Sequence, residues 1–314
     1  MRARDSLQIS QFHVHIASYN NFPTAAGLAS SASGFAALVA SLAALYKLPA
    51  NASELSVIAR QGSGSACRSL FGGFVAWEMG SNPDGSDSFA VQIAPKGHWP
   101  EMHALICVVS DSKKGTSSTA GMQRTVETSP LLEYRTKEVV PARQKRIIEA
   151  IKAKDFNTFA NITMQDSNQF HAVALDTDPP IFYMNDTSRA IIAVIVEYNR
   201  ASLASGHGIK AAYTFDAGPN AVIYALDGNM RQIVNLIQYY FPQSVPFNDP
   251  FQLFSEAPGT LVLPDGFNLA VAKRAEVGAV SRLIHTRVGG GPRVLDDSEA
   301  LLDTSGLPSE LPSK

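Results

Sequence analysis

Residues 23–32 read Pro-Thr-Ala-Ala-Gly-Leu-Ala-Ser-Ser-Ala, and an Ala- and Leu-rich segment from Ser33 to Leu48 follows directly. Apolar side chains recur in that segment at helical spacing, so it predicts a small-residue loop that leads into a helix. The unpaired N–H groups and the positive dipole at such an N-terminus favour a phosphate group. A tight loop with a serine cap explains the same residues. No Gly-Lys-Ser/Thr follows, so this is not a Walker loop.

A second run of small residues, 62–73, reads Gly-Ser-Gly-Ser-Ala-Cys-Arg-Ser-Leu-Phe-Gly-Gly. Consecutive small residues of this kind can form a concave row of N–H groups that binds an anion. Arg68 adds a planar guanidinium that can hold a carboxylate or a phosphate through two hydrogen bonds. The alternative interpretation is a flexible glycine linker, which the arginine within the row makes less attractive.

Polar side chains also stand at the ends of two predicted elements, one strand and one helix. Asp216 ends the apolar strand 211–215 and precedes Ala-Gly-Pro-Asn, so it is either a partly desolvated base or a residue that serves the turn. Asp166 to His171 form a polar cluster that we expect to follow a helix ending near Gln165. Histidines in such positions are more often structural than catalytic, and no His, Cys and Glu set has metal-ligand spacing.

The remaining pattern mixes strands and helices without strict alternation, which favours an α+β fold. Strands are predicted over residues 11–18, 74–79, 88–94, 104–110, 211–215, 221–225 and 281–288. Helices are predicted over residues 33–48, 53–60, 131–153 (kinked or broken at Pro141), 156–165, 188–200 and 230–241. From residue 296 the chain is polar, with Pro and Ser, and predicts a loose tail.

Composition limits the function classes. The 314 residues suggest two domains, and the 45% apolar share is that of a globular protein. A formal net charge of −2 gives no basic field for nucleic acid. No apolar run is long enough to span a membrane. The two cysteines, Cys67 and Cys107, form no Cys-x-x-Cys pair, so neither a disulfide framework nor a zinc site is indicated.

Residues 23–32 resemble the phosphate-binding motif of the GHMP small-molecule kinases. Three longer strings, at residues 20–32, 62–73 and 212–221, together resemble the diphosphomevalonate decarboxylase family, and the resemblance runs from about His13 to Leu307. It implies the two-domain GHMP kinase fold. We expect an N-terminal domain like domain 2 of ribosomal protein S5 over residues 1–100, a ferredoxin-like domain over 101–295 and a polar tail over 296–314.

The resemblance also implies an activity, the ATP-dependent decarboxylation of (R)-5-diphosphomevalonate in isoprenoid and sterol biosynthesis. The products are isopentenyl diphosphate, ADP, phosphate and carbon dioxide, and Mg²⁺ accompanies ATP. A cytoplasmic homodimer is implied, without a nucleic-acid partner or a membrane span. Two alternatives stay open at this point: a GHMP kinase that phosphorylates without decarboxylation, and an inactive subunit.

Particular residues match the family's functional positions. By the resemblance, Asp216 contacts the tertiary hydroxyl of the substrate and Arg68 holds its carboxylate, while the metal ligands stay unassigned. The implied substrate-binding residues are Ser63, Gly64, Ser65, Ala66, Cys67, Arg68, Ser167 and Asn168. Among them, Ser167 and Asn168 match a position on the diphosphate side. The implied ATP-binding residues are Ala26, Gly27, Leu28, Ala29, Ser30 and Ser31, of which Ser31 reaches the γ-phosphate.

One departure from the family pattern affects the expected activity. Family members open with a segment like Ala-Pro-x-Asn-Ile-Ala and a Lys-Tyr-Trp-Gly-Lys string, whereas the only tryptophans here, Trp77 and Trp99, stand in other contexts. We therefore expect an incomplete first domain, with a sheet edge left unpaired, and greatly reduced turnover when this chain is made alone.

Overall fold

The computed structural model divides the chain into two units, and it describes residues 11, 13–24, 27–109, 117–255 and 259–309. The first unit comprises Met1–Thr24, Ala29–Lys96 and Gly289–Lys314. The second comprises Ala25–Leu28 and Gly97–Val288. Helices and antiparallel strands are mixed in the chain, so the predicted α+β class is confirmed. The boundaries predicted at residues 100 and 295 stay predictions.

The described part of the first unit contains, up to residue 96, two α-helices, a 3₁₀-helix and a hairpin. These are α1 (Ser30–Leu45), α2 (Ala52–Gly62), the 3₁₀-helix Gly64–Leu70, β1 (Phe74–Trp77) and β2 (Ala90–Ala94). Helix α2 begins at a capping box, in which Asn51 accepts the Glu54 N–H and Glu54 accepts the Asn51 N–H. Buried small side chains let the helices and the 3₁₀-helix pack closely, among them Ala36, Ala59 and Ala66.

The strand predicted over residues 11–18 is wrong for the described part of that segment. Residues 13–18 belong to no strand, Ile16 is 61% exposed, and Phe12 lies outside the described residues. His15 Nδ1 instead lies 2.7 Å from the carbonyl oxygen of Gly306. Alternating apolar residues form a strand only where a neighbouring strand satisfies their backbone groups, and none of the described strands pairs with this segment.

The predicted loose tail is ordered as far as residue 309. A short 3₁₀-helix spans Asp297–Glu299, and Leu302 forms a β-bridge with Pro308. The Asp303 carboxylate accepts the N–H groups of Ser305 and Leu307, at 2.8 and 2.9 Å, which closes the turn between the bridge residues. Local hydrogen bonds therefore order a segment that lacks apolar periodicity, and residues 310–314 lie outside the described part of the chain.

The second unit is built on a four-stranded antiparallel sheet. Its strands are β3 (Met102–Val108), β4 (Ala212–Phe215), β5 (Ala221–Leu226) and β6 (Arg282–Arg287), in the order β4-β5-β3-β6. Leu105 of β3 lies opposite Ile223 on one side and His285 on the other. Helices connect β3 to β4 and β5 to β6, so the order along the chain is βαββαβ. This is the ferredoxin-like arrangement that the resemblance implied.

Helices cover both faces of this sheet. They are α3 (Ser118–Thr128), α4 (Pro130–Tyr134), a π-helical turn (Arg135–Val139), α5 (Val140–Ala153), α6 (Phe156–Asp176), α7 (Asp186–Ala204) and α8 (Asp227–Tyr240). Residues of α7 and α8, such as Ile191 and Ile233, share one core cluster with Leu105 and Ile223. On the other face, Phe159 of α6 meets Tyr224 edge to face at 5.5 Å. A 3₁₀-helix, Leu269–Val271, follows α8.

At Pro141, where a kink or a break is predicted, the helix does not break: the backbone stays helical from Tyr134 to Val140, and the π-helical turn Arg135–Val139 leads directly into α5. The irregular turn before Pro141 accommodates its missing N–H.

The helix end predicted near Gln165 is wrong, since α6 continues to Asp176. Ser167 and His171, one turn apart, lie on the buried face of that helix, so the polar cluster is part of α6. None of the described helices is long and apolar enough to cross a membrane.

Candidate functional site

Helix α1 begins at Ser30, directly after the small-residue loop. Ala29, the residue before the helix, has a left-handed backbone with φ of 55°, and it has no side chain that could cap. Among the described residues no side chain caps α1, and its first turn contains no acidic residue. The serine cap considered above is therefore absent, and the N–H groups of the first turn and the helix dipole present positive charge.

Ser31 joins this helix N-terminus to the second small-residue run. Its Oγ lies 3.1 Å from Oγ of Ser63, which precedes the 3₁₀-helix Gly64–Leu70. Both residues belong to the first unit. Two motifs separated in the sequence are thus brought within one hydrogen bond, and they present two hydroxyl groups side by side.

The second run is ordered and is not a flexible linker. Ala66 and Cys67 are fully buried in the 3₁₀-helix, whereas Arg68 is exposed. Burial raises the pKa of the Cys67 thiol, against the opposing effect of the Arg68 charge, so the sulfur is a protonated packing group and a poor nucleophile. Arg68 is therefore the residue of this run that offers charge to a ligand, and its Cζ lies 6.0 Å from the centre of the Trp77 ring.

Asp216 follows β4 and is exposed. Its Oδ1 accepts the N–H of Ala217 at 2.7 Å, and its carbonyl oxygen accepts the N–H of Gly218 at 2.7 Å. The carboxylate thus serves the turn, as one of the two interpretations had it, and it lacks the burial that the other expected. Oxygen atoms of an exposed carboxylate nonetheless remain accessible to a substrate.

Two side-chain hydrogen bonds fix this turn to neighbouring segments. Ser188, in the first turn of α7, donates its hydroxyl to the carbonyl oxygen of Pro219 at 2.8 Å. Asn220 is fully buried, and its Oδ1 accepts the N–H of Val109 at 2.7 Å. The backbone on the C-terminal side of Asp216 is therefore fixed to α7 and to the segment after β3.

The first part of the phosphate motif packs on the same turn. Gly27 has φ of 76°, and a Cβ at this position would lie 2.7 Å from Cα of Gly218. Gly27 and Leu28 belong with Gly218 to the second unit. The predicted ATP-binding residue Ala26 lies outside the described residues.

Ser167 and Asn168 both contact β4. Ser167 is 4% exposed, and its hydroxyl accepts the N–H of Phe215 at 3.0 Å. Asn168 is exposed, and its Oδ1 accepts the hydroxyl of Tyr213 at 3.0 Å. These hydrogen bonds fasten α6 to the strand that leads to Asp216. The predicted contact of the two residues with a substrate diphosphate stays a prediction.

His171 is a residue of this region to which sequence reasoning gave no role. It lies one helical turn beyond Ser167, is 4% exposed, and meets the Phe215 ring edge to face at 6.2 Å. Burial lowers its pKa, although a hydrogen bond with the Phe215 backbone and the Asp216 carboxylate act in the opposite direction. Burial and the same carboxylate raise the pKa of Tyr183. Ser167 and His171 are four residues apart, a spacing that places both on one face of a helix. The prediction that the helix ends near Gln165 hid this signal.

The residues present fit a magnesium ion that is bound mainly through a nucleotide. No group of three or more His, Cys, Asp or Glu side chains in the described parts of the chain could hold a metal alone. Mg²⁺ commonly takes phosphate oxygens and water and needs few protein ligands. The hydroxyl of Ser31, beside the open N-terminus of α1, is an oxygen donor of the kind that accompanies a nucleotide-bound Mg²⁺.

The fold and these sites define an enzyme of the GHMP kinase fold. A family model described as diphosphomevalonate decarboxylase-like N-terminal domain matches residues 1–90, and one described as mevalonate 5-diphosphate decarboxylase C-terminal domain matches residues 104–295. The chain belongs to the diphosphomevalonate decarboxylase family. Its function is that of the family, a decarboxylation in the mevalonate pathway of isoprenoid biosynthesis.

Individual relatives agree with this assignment. The diphosphomevalonate decarboxylase of Ganoderma lucidum is 70% identical over 301 residues, which cover 96% of this chain and 75% of the relative. A crystal structure of mevalonate 5-diphosphate decarboxylase is 50% identical, with a TM-score of 0.76 over 91% of this chain and 72% of that one. The structure of MDDEF in complex with MVAPP, AMPPCP and magnesium is 31% identical, with a TM-score of 0.64 over 86% and 68%.

Proposed function

We propose that the chain decarboxylates (R)-5-diphosphomevalonate in two stages, with ATP as the phosphate donor. Transfer of the γ-phosphoryl group to the tertiary hydroxyl turns that oxygen into a leaving group. Loss of carbon dioxide from the carboxymethyl arm then supplies the electron pair that expels phosphate, and the double bond of isopentenyl diphosphate remains. The relative that binds MVAPP together with AMPPCP and magnesium supports this choice of co-substrate and metal.

The phosphate groups of ATP are assigned to the segment from Ala26 to Ser31. Support comes from the open N-terminus of α1, where N–H groups and the helix dipole favour an anion. Ser31 is assigned to the γ-phosphate. Mg²⁺, when bound, offsets the charge of the phosphates during transfer. The Ser31 hydroxyl is the protein group that we propose for it, beside the phosphate oxygens themselves.

Arg68 is assigned to the substrate carboxylate. Its guanidinium is exposed, and it projects from an ordered 3₁₀-helix whose neighbouring residues, Ser63 to Cys67, would line the substrate. A salt bridge that is equally strong in the ground state and the transition state gives no acceleration. The contribution of Arg68 therefore lies in orienting the carboxylate so that the breaking C–C bond is aligned with the departing phosphate.

Asp216 is assigned to the tertiary hydroxyl, as a base or as an orienting hydrogen-bond acceptor. Its backbone is held on both sides, because Ser167 accepts the N–H of Phe215 before it and Ser188 donates to the carbonyl oxygen of Pro219 after it. A carboxylate fixed in this way needs little reorganisation when the hydroxyl attacks the γ-phosphate. Asn168 is the exposed residue of α6 that we propose for the diphosphate side of the substrate.

The observation that carries this proposal is the hydrogen bond between Ser31 and Ser63, because it joins the phosphate motif to the run that contains Arg68. The test supplies the purified chain with MgATP and (R)-5-diphosphomevalonate and measures ADP, phosphate and carbon dioxide. Equal amounts of the three are expected. ADP without carbon dioxide would identify a kinase, and no product would indicate an inactive subunit.

Arg68→Ala provides a sharper comparison. We expect it to lower carbon dioxide release at least tenfold, because the carboxylate loses its partner. The matched control is Arg189→Ala, which removes an exposed arginine that pairs only with Asp186 on α7 among the described residues. That variant is expected to behave as the parent chain does.

Assembly and location follow from the family resemblance alone. We propose a cytoplasmic homodimer, and light scattering of the purified chain tests the dimer.

A further inference from the structure

Trp77 contacts the Arg68 run at two points. It is the last residue of β1, it is partly buried, and its ring centre lies 6.0 Å from Cζ of Arg68. The same ring meets Gly64, where a Cβ would lie 2.9 Å from Cη2 of the indole. The 3₁₀-helix therefore passes close over the indole, and Gly64 permits this approach because it has no side chain.

The indole is itself held from the other side. Its Nε1 donates to Oγ of Ser88 at 3.0 Å, and that hydroxyl donates to the carbonyl oxygen of Glu78 at 3.2 Å. Ser88 is 7% exposed, and its carbonyl oxygen accepts Nε of Arg60 at 2.7 Å. Trp77 also lies opposite Ala90 in the hairpin. The ring orientation is thus set by partly buried hydrogen bonds that do not involve Arg68.

An aromatic ring can hold an arginine side chain in place and leave its N–H groups available to a ligand. The ring attracts the positive charge through its π-electrons and uses none of the guanidinium N–H donors. The N–H groups can therefore still form two parallel hydrogen bonds with a carboxylate. A long, exposed side chain would otherwise sample many rotamers and lose that freedom on binding.

We infer that Trp77 is a positioning residue for carboxylate recognition: its ring holds the Arg68 guanidinium and seats Gly64. This inference rests on the proposed assignment of Arg68 to the substrate carboxylate. The β1–β2 hairpin thereby acts on the substrate indirectly. Its residue Trp77 orients Arg68, and Arg68 binds the substrate carboxylate.

The first test measures binding to the full chain by calorimetry, with (R)-5-diphosphomevalonate and with MgATP in separate titrations. Trp77→Leu is expected to weaken diphosphomevalonate binding about fivefold and to leave MgATP binding within about twofold, since a cation–π contact at an exposed site is worth about a factor of two to five. Trp77→Phe retains an aromatic face and is expected to restore most of the affinity.

Two results would overturn the inference: Trp77→Leu binding as tightly as the parent chain, or Trp77→Phe binding as weakly as Trp77→Leu. A parent chain that binds no diphosphomevalonate would instead contradict the proposed function.

A second measurement needs no substrate. Trp99 is 2% exposed, so quenching of tryptophan fluorescence by acrylamide reports mainly on Trp77. Arg68→Ala uncovers the ring and is expected to raise the quenching constant about twofold, whereas Arg68→Lys retains a cation and is expected to change it less. Identical quenching in the parent chain and Arg68→Ala would show that the guanidinium does not rest on the ring, and this result would overturn the inference whatever the substrate proves to be.

Discussion

Gly27 and Gly218 pack backbone against backbone within the second unit. A Cβ at residue 27 would lie 2.7 Å from Cα and 2.8 Å from N of Gly218, and φ of Gly27 is 76°. Backbone atoms cannot move aside as the end of a flexible side chain can. This contact therefore ties Gly27 to the turn that carries Asp216, and it requires glycine at 27 for two separate reasons.

Replacing Gly27 by alanine is expected to destabilise the second unit by more than about 1 to 2 kcal/mol, the cost of a left-handed backbone alone. The clash with Gly218 adds to that cost. Urea denaturation measures the change. Gly34→Ala is the matched control, because a Cβ there meets nothing within 4 Å and alanine favours the helix α1. Equal midpoints for Gly27→Ala and the parent chain would contradict the packing described.

Much of the fold could be predicted because its signals are local. The apolar run of β3 and the helical periodicity of α8 each lie within one segment, and each finds a partner in the folded chain. Residues 13–18 have an equally regular alternation, yet the described structure contains no strand beside them. Pairing is a property of two segments, so a periodic pattern in one segment cannot establish it.

The candidate site likewise contains residues that have a local sequence signal and contacts that have none. Arg68 stands out because a charged residue interrupts a run of small ones, which is visible in the sequence itself. The hydrogen bond between Ser167 and the Phe215 N–H joins residues 48 apart in the chain and has no local signal. The burial of His171 was missed for a related reason, since it depends on the Phe215 side chain packing against α6.

Ser167→Ala is expected to lower the free energy of unfolding by about 1 to 3 kcal/mol, because the buried N–H of Phe215 loses its acceptor. Asn168→Ala, on the same helix, removes an exposed acceptor whose place water can take, so we expect about 1 kcal/mol or less. Guanidinium denaturation of both variants makes the comparison. If Ser167→Ala unfolds with the parent chain and only substrate affinity falls, Ser167 is a binding residue and does not hold β4.

The ion pairs of Asp166 are expected to make the free energy of unfolding depend on pH in the acidic range. Its carboxylate pairs with Arg135 at 2.8 Å and with Arg143 at 3.1 Å, and although burial acts to raise its pKa, these two guanidiniums lower it overall. The folded chain therefore binds fewer protons than the unfolded chain. The contribution is complete above the unfolded pKa of about 3.9, and it is lost as the pH falls through the lower, folded value.

The Asp166 side chain is 39% exposed, so water screens part of the ion-pair energy. Asp166→Asn should accordingly cost only about 1 kcal/mol at pH 7 and progressively less below pH 4. Urea midpoints at pH 7, 5 and 3.5 measure this. The control is Glu133→Gln, since Glu133 is 71% exposed in its pair with Lys137, and water screens such a pair so well that its loss is expected to leave stability almost unchanged. A penalty for Asp166→Asn that is independent of pH would contradict the ion-pair explanation.

His285 is expected to limit stability at mildly acidic pH. It is 5% exposed, and its Nε2 lies 2.9 Å from Nδ1 of His103. Burial, assisted by His103 and Arg287 and opposed by Asp249, lowers the pKa of His285 to about 4. The ordinary histidine value is about 6.5, so between these values the unfolded chain binds more protons than the folded one, and stability falls as the pH falls.

Between pH 7 and pH 5, His285 is expected to remove about 1 to 2 kcal/mol of stability from the parent chain. His285→Gln cannot be protonated and should flatten this part of the profile, whatever it costs at pH 7. The matched control is His207→Gln, which makes the same substitution at an exposed position. Thermal unfolding at half-unit pH steps compares the three proteins. Parallel profiles for His285→Gln and the parent chain would mean that another buried group, such as His103, causes the acid sensitivity.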